Sequence, residues 1–281
     1  MSEANGRQHL YNADAKILEG HLRIPLIQDI KPQAPATLTE KGGYVAQQLE
    51  DYWLESVISF KHAYTQVAGN PDPKPGHGWS TLSTTVVEGL QVLEVLTADK
   101  VVGQIITEHP LEGYVPSISF LGTRFENLRI AGHPVKLDLD LEIFGPKPAN
   151  DGAYTHEPYF LKRVSSQYNR ILEHENLPED LLERYKQFSA DLGKSEAVEC
   201  SLVNHAAGSY PGPSFGHVIR IPNFGTITLA KLTVTHENPK QETGVPTKTT
   251  LRLTMLDLKL GCAIDGDIPI GGGGTNGTTV P

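Results

Sequence analysis

Nine consecutive residues constrain this chain more than any others: in Val135-Lys-Leu-Asp-Leu-Asp-Leu-Glu-Ile143, Val135, Leu137, Leu139, Leu141 and Ile143 alternate with Lys136, Asp138, Asp140 and Glu142. That is the two-residue period of a strand with one dry face and one wet face. A strand covered on both faces, as in a parallel sheet, would read as an unbroken apolar run. The pattern therefore predicts an antiparallel, half-solvated sheet. The stretch before it, from Tyr114 through the turn at Ala131-Gly-His-Pro134, has the same β character.

The rest of the chain follows this lead. Residues 13–30 read as a strand pair broken at Pro25, and residues 31–42 as a loop rich in proline and alanine. Tyr52 to Phe60 reads as a buried strand. Residues 69–79, dense in proline and glycine, make a loop. From Ser80 to Thr107 strands return. Apolar parity changes at Val92-Leu93, at Met255-Leu256 and between Ile227/Leu229 and Leu232/Val234. One inserted residue reverses a strand's faces, so these positions predict β-bulges and a strongly curved sheet.

Between Glu157 and Gly193 the period becomes helical. Leu161, Val164, Tyr168, Ile171 and Leu172 share one face, and Leu181, Leu182, Tyr185, Phe188 and Leu192 another, with Pro178 and Gly193 as punctuation. The expected fold is all-β, a β-sandwich or distorted barrel of mainly antiparallel strands, with an inserted two-helix hairpin at about 157–193. Residues 1–270 are expected to form a single β-rich domain. Residues 271–281, beginning Gly271-Gly-Gly-Gly-Thr-Asn-Gly277, read as a flexible tail unless a neighbour orders them.

Composition excludes several functions. A net charge of -9 argues against nucleic acid, which is held by clustered Lys and Arg. No apolar run reaches the length of a membrane-spanning helix, and the N-terminal residues do not resemble a secretory signal. A cytoplasmic location is expected on that reading. Cys200 and Cys262 are too few for a zinc cage or a disulfide framework; two reduced thiols and a single bridge are the alternatives.

Thr85-Val-Val-Glu-Gly-Leu-Gln-Val92, Leu96-Thr-Ala-Asp-Lys-Val101, Ser119-Phe-Leu-Gly122, Leu128-Arg-Ile-Ala-Gly-His-Pro-Val135 and Ile221-Pro-Asn-Phe-Gly-Thr-Ile-Thr-Leu229 occur in an order that resembles the bacterial choice-of-anchor P family. The similarity covers roughly residues 80–137 and 215–260. It implies a β-rich protein without assigned activity, and an extracellular or surface location. The chain differs from those proteins in its helical hairpin and in Ala230-Lys231, where they tend to carry Asn-Glu.

Chemical signals are sparse. Gly212-Pro-Ser-Phe-Gly216 matches the string of a hydrolase nucleophile elbow, but proline and glycine precede it and a strand follows, so Ser214 reads as part of a turn. Asp138, Asp140 and Glu142 on one strand face are candidate calcium ligands or simply solvated charges on an outward face, and Asp265-Gly-Asp267 is a turn first and a partial calcium loop second. His205, His217 and His236 show no metal spacing, and no cofactor is indicated. Trp79, Tyr210 and Phe215, in two proline-glycine loops, are a candidate stacking platform for a sugar or apolar ligand, with plugging of a sandwich end as the favoured alternative. The leading functional expectation is a non-catalytic binding or structural protein that associates with itself through edge strands. The alternatives are a carbohydrate- or small-ligand-binding sandwich, and an enzyme whose site gathers dispersed His, Asp and Glu residues.

Overall fold

The computed structural model describes residues 7–24, 27–70, 78–237, 247–261 and 264–280. Pro25, most of the first proline-glycine loop and Cys262 lie outside them. The chain begins with β1 (Gln8–Leu10), β2 (Ala13–Leu18), β3 (Gly20–Ile24), β4 (Gln28–Ile30) and β5 (Ala36–Thr37). Four long strands follow, β6 (Gly43–Leu54), β7 (Ile58–Gly69), β8 (Trp79–Val92) and β9 (Leu96–His109). Short strands β10 (Ser117–Ser119), β11 (Arg124–Glu126), β12 (Arg129–Ile130), β13 (His133–Pro134) and β14 (Lys136–Leu139) lead to helices α1 (Pro158–Leu172) and α2 (Glu179–Asp191). After the helices come β15 (Ala197–Ser201), β16 (Val203–Ala207), β17 (Ser214–Phe215), β18 (Val218–Ile221), β19 (Gly225–Glu237), β20 (Lys248–Gly261), β21 (Asp265–Thr275) and β22 (Thr278–Val280). This is the all-β fold with a helical insertion that the periodicity predicts.

Two large antiparallel sheets pack face to face. The first runs β13-β12-β9-β8-β7-β6, with β10 and β11 also on β9. The second runs β17-β18-β19-β20-β21-β2-β5, with β15 on β19 and β3 on β21 and β4. Strands β2, β20 and β21 lie across β7, β8 and β9, and one buried cluster reaches from Phe60, Leu90 and Val101 to Leu229, Leu253 and Ile270. Removing each such side chain from water contributes about 1.5–3 kcal/mol. The helical hairpin closes one end. Phe160, Val164, Tyr168 and Ile171 of α1 and Leu181 and Tyr185 of α2 face this core, and Gln167 bonds both ways with Ser201. Among the described residues no helix is long and apolar enough to cross a membrane.

The parity changes have two different causes. The one at Val92-Leu93 is a hairpin: Leu93 and Glu94, both at positive φ, turn β8 into β9. The other two lie in one row of the second sheet. Ile17, Gly271, Met255 and Ala230 drop out of the ladders of four adjacent strands, while the register on either side is unchanged. No residue has been inserted, so these are not bulges as expected. Ala230 (φ 42) and Gly271 (φ 67), on alternate strands, take left-handed conformations, and the inward set passes from Leu251, Leu253 and Met255 to Leu256, Leu258 and Leu260. The first sheet has a matching row at Asp51, Lys61, Gly89 and Asp99, with Asp51 (φ 48) and Gly89 (φ 67) at positive φ.

The glycine-rich segment differs most from its expected state. Instead of a flexible tail it is β21, central in the second sheet between β20 and β2, and β22 pairs with β1 beyond it. A neighbour does order it. A Cβ at Gly273 would stand 2.6 Å from Ser83 Oγ of the facing sheet. Without that Cβ, Ser83 Oγ reaches across and donates to the Asp14 carbonyl at 2.8 Å. The glycines are there for close approach of two sheets, which in sequence looks the same as looseness.

Candidate functional site

Trp79, Tyr210 and Phe215 do not form a platform. Each is buried, at 4%, 7% and 1% exposure, Trp79 in a small cluster apart from the main core that holds Tyr210 and Phe215. Trp79 opens β8 and stacks on His9 of β1, ring centroids 5.7 Å apart. His109, directly across the ladder from Trp79, lies 4.4 Å from His9. Burial lowers the pKa of His9 to about 4 and that of His109 well below its ordinary value, so both are neutral rings in a packed end of the sandwich. Tyr210 and Phe215 plug the main core near the helices, where Phe215 meets His174 edge-on. Their second reading, as plugs of the sandwich, is the one the burial supports.

The carboxylates also part company. β14 ends at Leu139, and a turn begins at Leu141, so the alternation through Ile143 is not one strand. Asp138 and Glu142 are exposed, whereas Asp140 is buried and pairs with Arg163 of α1 at 2.8 Å. Desolvation raises the Asp140 pKa, and the Arg163 charge opposes that rise. Asp265 and Asp267 clamp Arg23, each at 2.8 Å. Among the described residues no three His, Cys, Asp or Glu side chains are placed to hold a metal ion.

Nucleophiles and bases are tied into structure. Ser214 Oγ donates to the Ala206 carbonyl at 2.8 Å, within the β17 turn. His217 is buried against the Tyr185 hydroxyl at 3.0 Å, with its pKa lowered to about 3 by desolvation. His236 meets Thr249, and His205 is exposed elsewhere. Cys200 is a free, buried thiol whose pKa burial pushes up.

What the structure does present is an edge. Gly43-Tyr-Val-Ala-Gln-Gln-Leu-Glu-Asp-Tyr-Trp-Leu54 holds residues suited to a pleated surface and lies between the left-handed pair Gly42 and Gly43 and the turn at Glu55 to Val57. The resulting β6 pairs with β7 and, among the described residues, with no other strand. Among the described residues no strand lies along its other row of N–H and C=O groups. None of its twelve residues is buried. Tyr44 is 65% exposed and Trp53 72%. On the inward face Val45, Leu49, Tyr52 and Leu54 touch the core while half-exposed, and Tyr52 stacks on Phe60 at 4.8 Å. The devices that usually blunt an edge, such as lysine, proline or shortness, are missing; the left-handed Asp51 alone interrupts it. Sequence reading missed residues 43–51 because a strand wet on both faces loses its alternation. The remaining signal was aromatic and β-branched residues between Gly42-Gly43 and the acidic pair Glu50-Asp51.

Residues 9–235 match a family described as a domain of unknown function, DUF8256. No curated protein matches the chain. The matched span takes in β6, the first sheet and the helical hairpin, and ends inside β19. Since it covers well over half of the sequence, the chain belongs to the DUF8256 family.

Proposed function

We propose that this is a non-catalytic, self-assembling β-rich protein, in which two copies join through β6. The observation that carries the proposal is the long, unprotected edge. Side chains directly opposite in an antiparallel ladder point to the same face, so a two-fold pairing must be centred on one residue or between like-facing ones. Centring it on Gln47 uses the whole regular stretch from Tyr44 to Glu50 before the Asp51 kink. Val45 then faces Leu49 of the second copy, covering apolar surface that is half-exposed in one copy. Tyr44 faces Glu50, and no carboxylate opposes another. The engagement of Ser214, His217 and Cys200 in structural contacts supports a non-catalytic reading. So does the resemblance to the choice-of-anchor P proteins, which implies a β-rich chain without assigned activity.

The test replaces two outward, exposed residues. In the proposed register Ala46 opposes Gln48, so Ala46→Lys with Gln48→Lys sets like charges against each other on both sides of the dyad. Sedimentation equilibrium is expected to show a dimer for the parent and a monomer for the variant, with unchanged circular dichroism. Mixing it with the Ala46→Glu, Gln48→Glu variant should restore a mixed dimer. A parent that stays monomeric at millimolar concentration refutes the proposal.

A further inference from the structure

One face of α1 carries Tyr159, Lys162, Arg163, Ser166 and Arg170, at the spacing that keeps helix side chains together. With Asp140 and Asn204 opposite, these residues line a cleft of about 370 Å³. In a chain of net charge -9 the cleft reverses the local sign, with three cations against one carboxylate. Its groups are held in place. Arg163 is fixed by Asp140 and lies over the Tyr159 ring, 5.0 Å from its centroid. Arg170 donates to the Asn204 carbonyl at 3.0 Å, and Gln167 holds the Asn204 side chain at 3.1 Å. Lys162 Nζ has no ion pair or hydrogen bond among the described residues, so its charge is free for a ligand.

Tyr159 is also a wall of a second cleft, of about 380 Å³, lined by Ile118, Leu121, Leu141, Phe144 and Pro146, with Ser119 and Glu142 at its polar side. Leu121 is 66% exposed there and Tyr159 39%. A cationic cleft and an apolar one thus share a side chain. The two positive charges left after Arg163 meets Asp140 balance a dianion, and the shared wall leads from them to apolar surface.

We infer that the α1 clefts bind a phosphate monoester bearing an apolar chain, the phosphate among Lys162, Arg163 and Arg170 and the chain against Tyr159, Leu121 and Leu141. Arginine and lysine together suit a phosphate through charge-assisted bonds. No residue of the site lies on β6, so it stands apart from self-association.

Calorimetric titration of the full chain with octyl phosphate, inorganic phosphate and octyl glucoside tests this. Octyl phosphate is expected to bind more tightly than inorganic phosphate by about tenfold for every two methylenes that reach the apolar wall, and octyl glucoside not at all. Lys162→Glu with Arg170→Glu should abolish binding, and Leu121→Ser should shrink the advantage of the octyl chain without touching the phosphate. Equal affinity for octyl and inorganic phosphate, or undiminished binding by the charge-reversed pair, overturns the inference. Phosphatidic acid vesicles identify the source. Sedimentation with them, lost in the same variant, adds a lipid headgroup to the ligands of the site; sedimentation without any octyl phosphate binding reflects surface adsorption and overturns it.

Discussion

The first sheet ends in β6, twelve residues long and paired on one side, whereas the second ends in β5 and β17, two residues each, with β4 and β15, three and five residues long, as further one-sided strands. Both sheets are otherwise built alike: long antiparallel hairpins, each crossed by one row where four strands change their inward parity together. The second sheet confines its unpaired backbone to strands of two to five residues and locks its centre with glycines against the facing sheet. The first leaves a full template open. Sandwich stability therefore resides in centres and buried ends, and the rim of the first sheet is where the proposed association would act.

Acid should affect the buried ends far more than the rim. His9 and His217 have folded pKa values lowered to about 4 and about 3. The unfolded chain, with histidines near their ordinary value, takes up protons first. Stability is thus fully present above pH 6.5 and falls as pH drops toward the folded values, by roughly 3 kcal/mol for His9 and roughly 5 kcal/mol for His217. Urea midpoints measured from pH 7.5 down to pH 4.5 should decline steeply, and His9→Leu should flatten part of that slope. An unchanged midpoint across this range would contradict the neutral, buried assignment.

Adding volume sharpens the contrast. Gly273→Val drives a side chain into Ser83 Oγ across the closely packed sheets and is expected to cost about 3 kcal/mol in chemical denaturation. Ala46→Val on the exposed rim should stay within about 0.5 kcal/mol. Equal effects at the two positions would mean that β6 is covered or that β21 is not central.

The parity rows offer a smaller test. Gly271 sits at φ 67 beside Met255 Cβ, which a Cβ at Gly271 would approach to 3.2 Å. Gly271→Ala should therefore cost about 1–2 kcal/mol. Asp51→Gly, at φ 48 on the exposed edge, should be neutral or stabilise by up to about 1 kcal/mol. Trp53→Ala, removing a side chain 72% exposed, should leave the denaturation midpoint where it is.

Much of the fold was legible because burial imposes a period. The helices showed one apolar face, and β8, β9, β19 and β20 carried dense apolar sets on their inward faces. Where burial was absent or achieved without side chains, the sequence said little. β6 is wet on both faces and had no alternation to read. Gly271, Gly272 and Gly274 are buried and Gly273 half-buried through lack of side chains, and composition cannot tell that from looseness. Val135 to Ile143 alternates in sequence well past Leu139, where the strand stops, but beyond it burial no longer follows the alternation: Asp140 is buried and Leu141 only partly so. Of the candidate site residues, Asp140 does reach a cleft, as a partner of Arg163 and not as a metal ligand. Trp79, Tyr210 and Phe215 can be read from their loops either as a platform or as plugs of a sandwich end, and burial decides for the plugs: His9 of β1 covers Trp79 and His174, just past α1, meets Phe215.

Association through β6 is tested most directly by sedimentation equilibrium of the parent chain beside Ala46→Lys, Gln48→Lys, at matched concentration and equal thermal stability. A parent of twice the monomer mass and a variant of monomer mass are the predicted pair. Identical masses for the two, whether both single or both double, would place the contact elsewhere or nowhere.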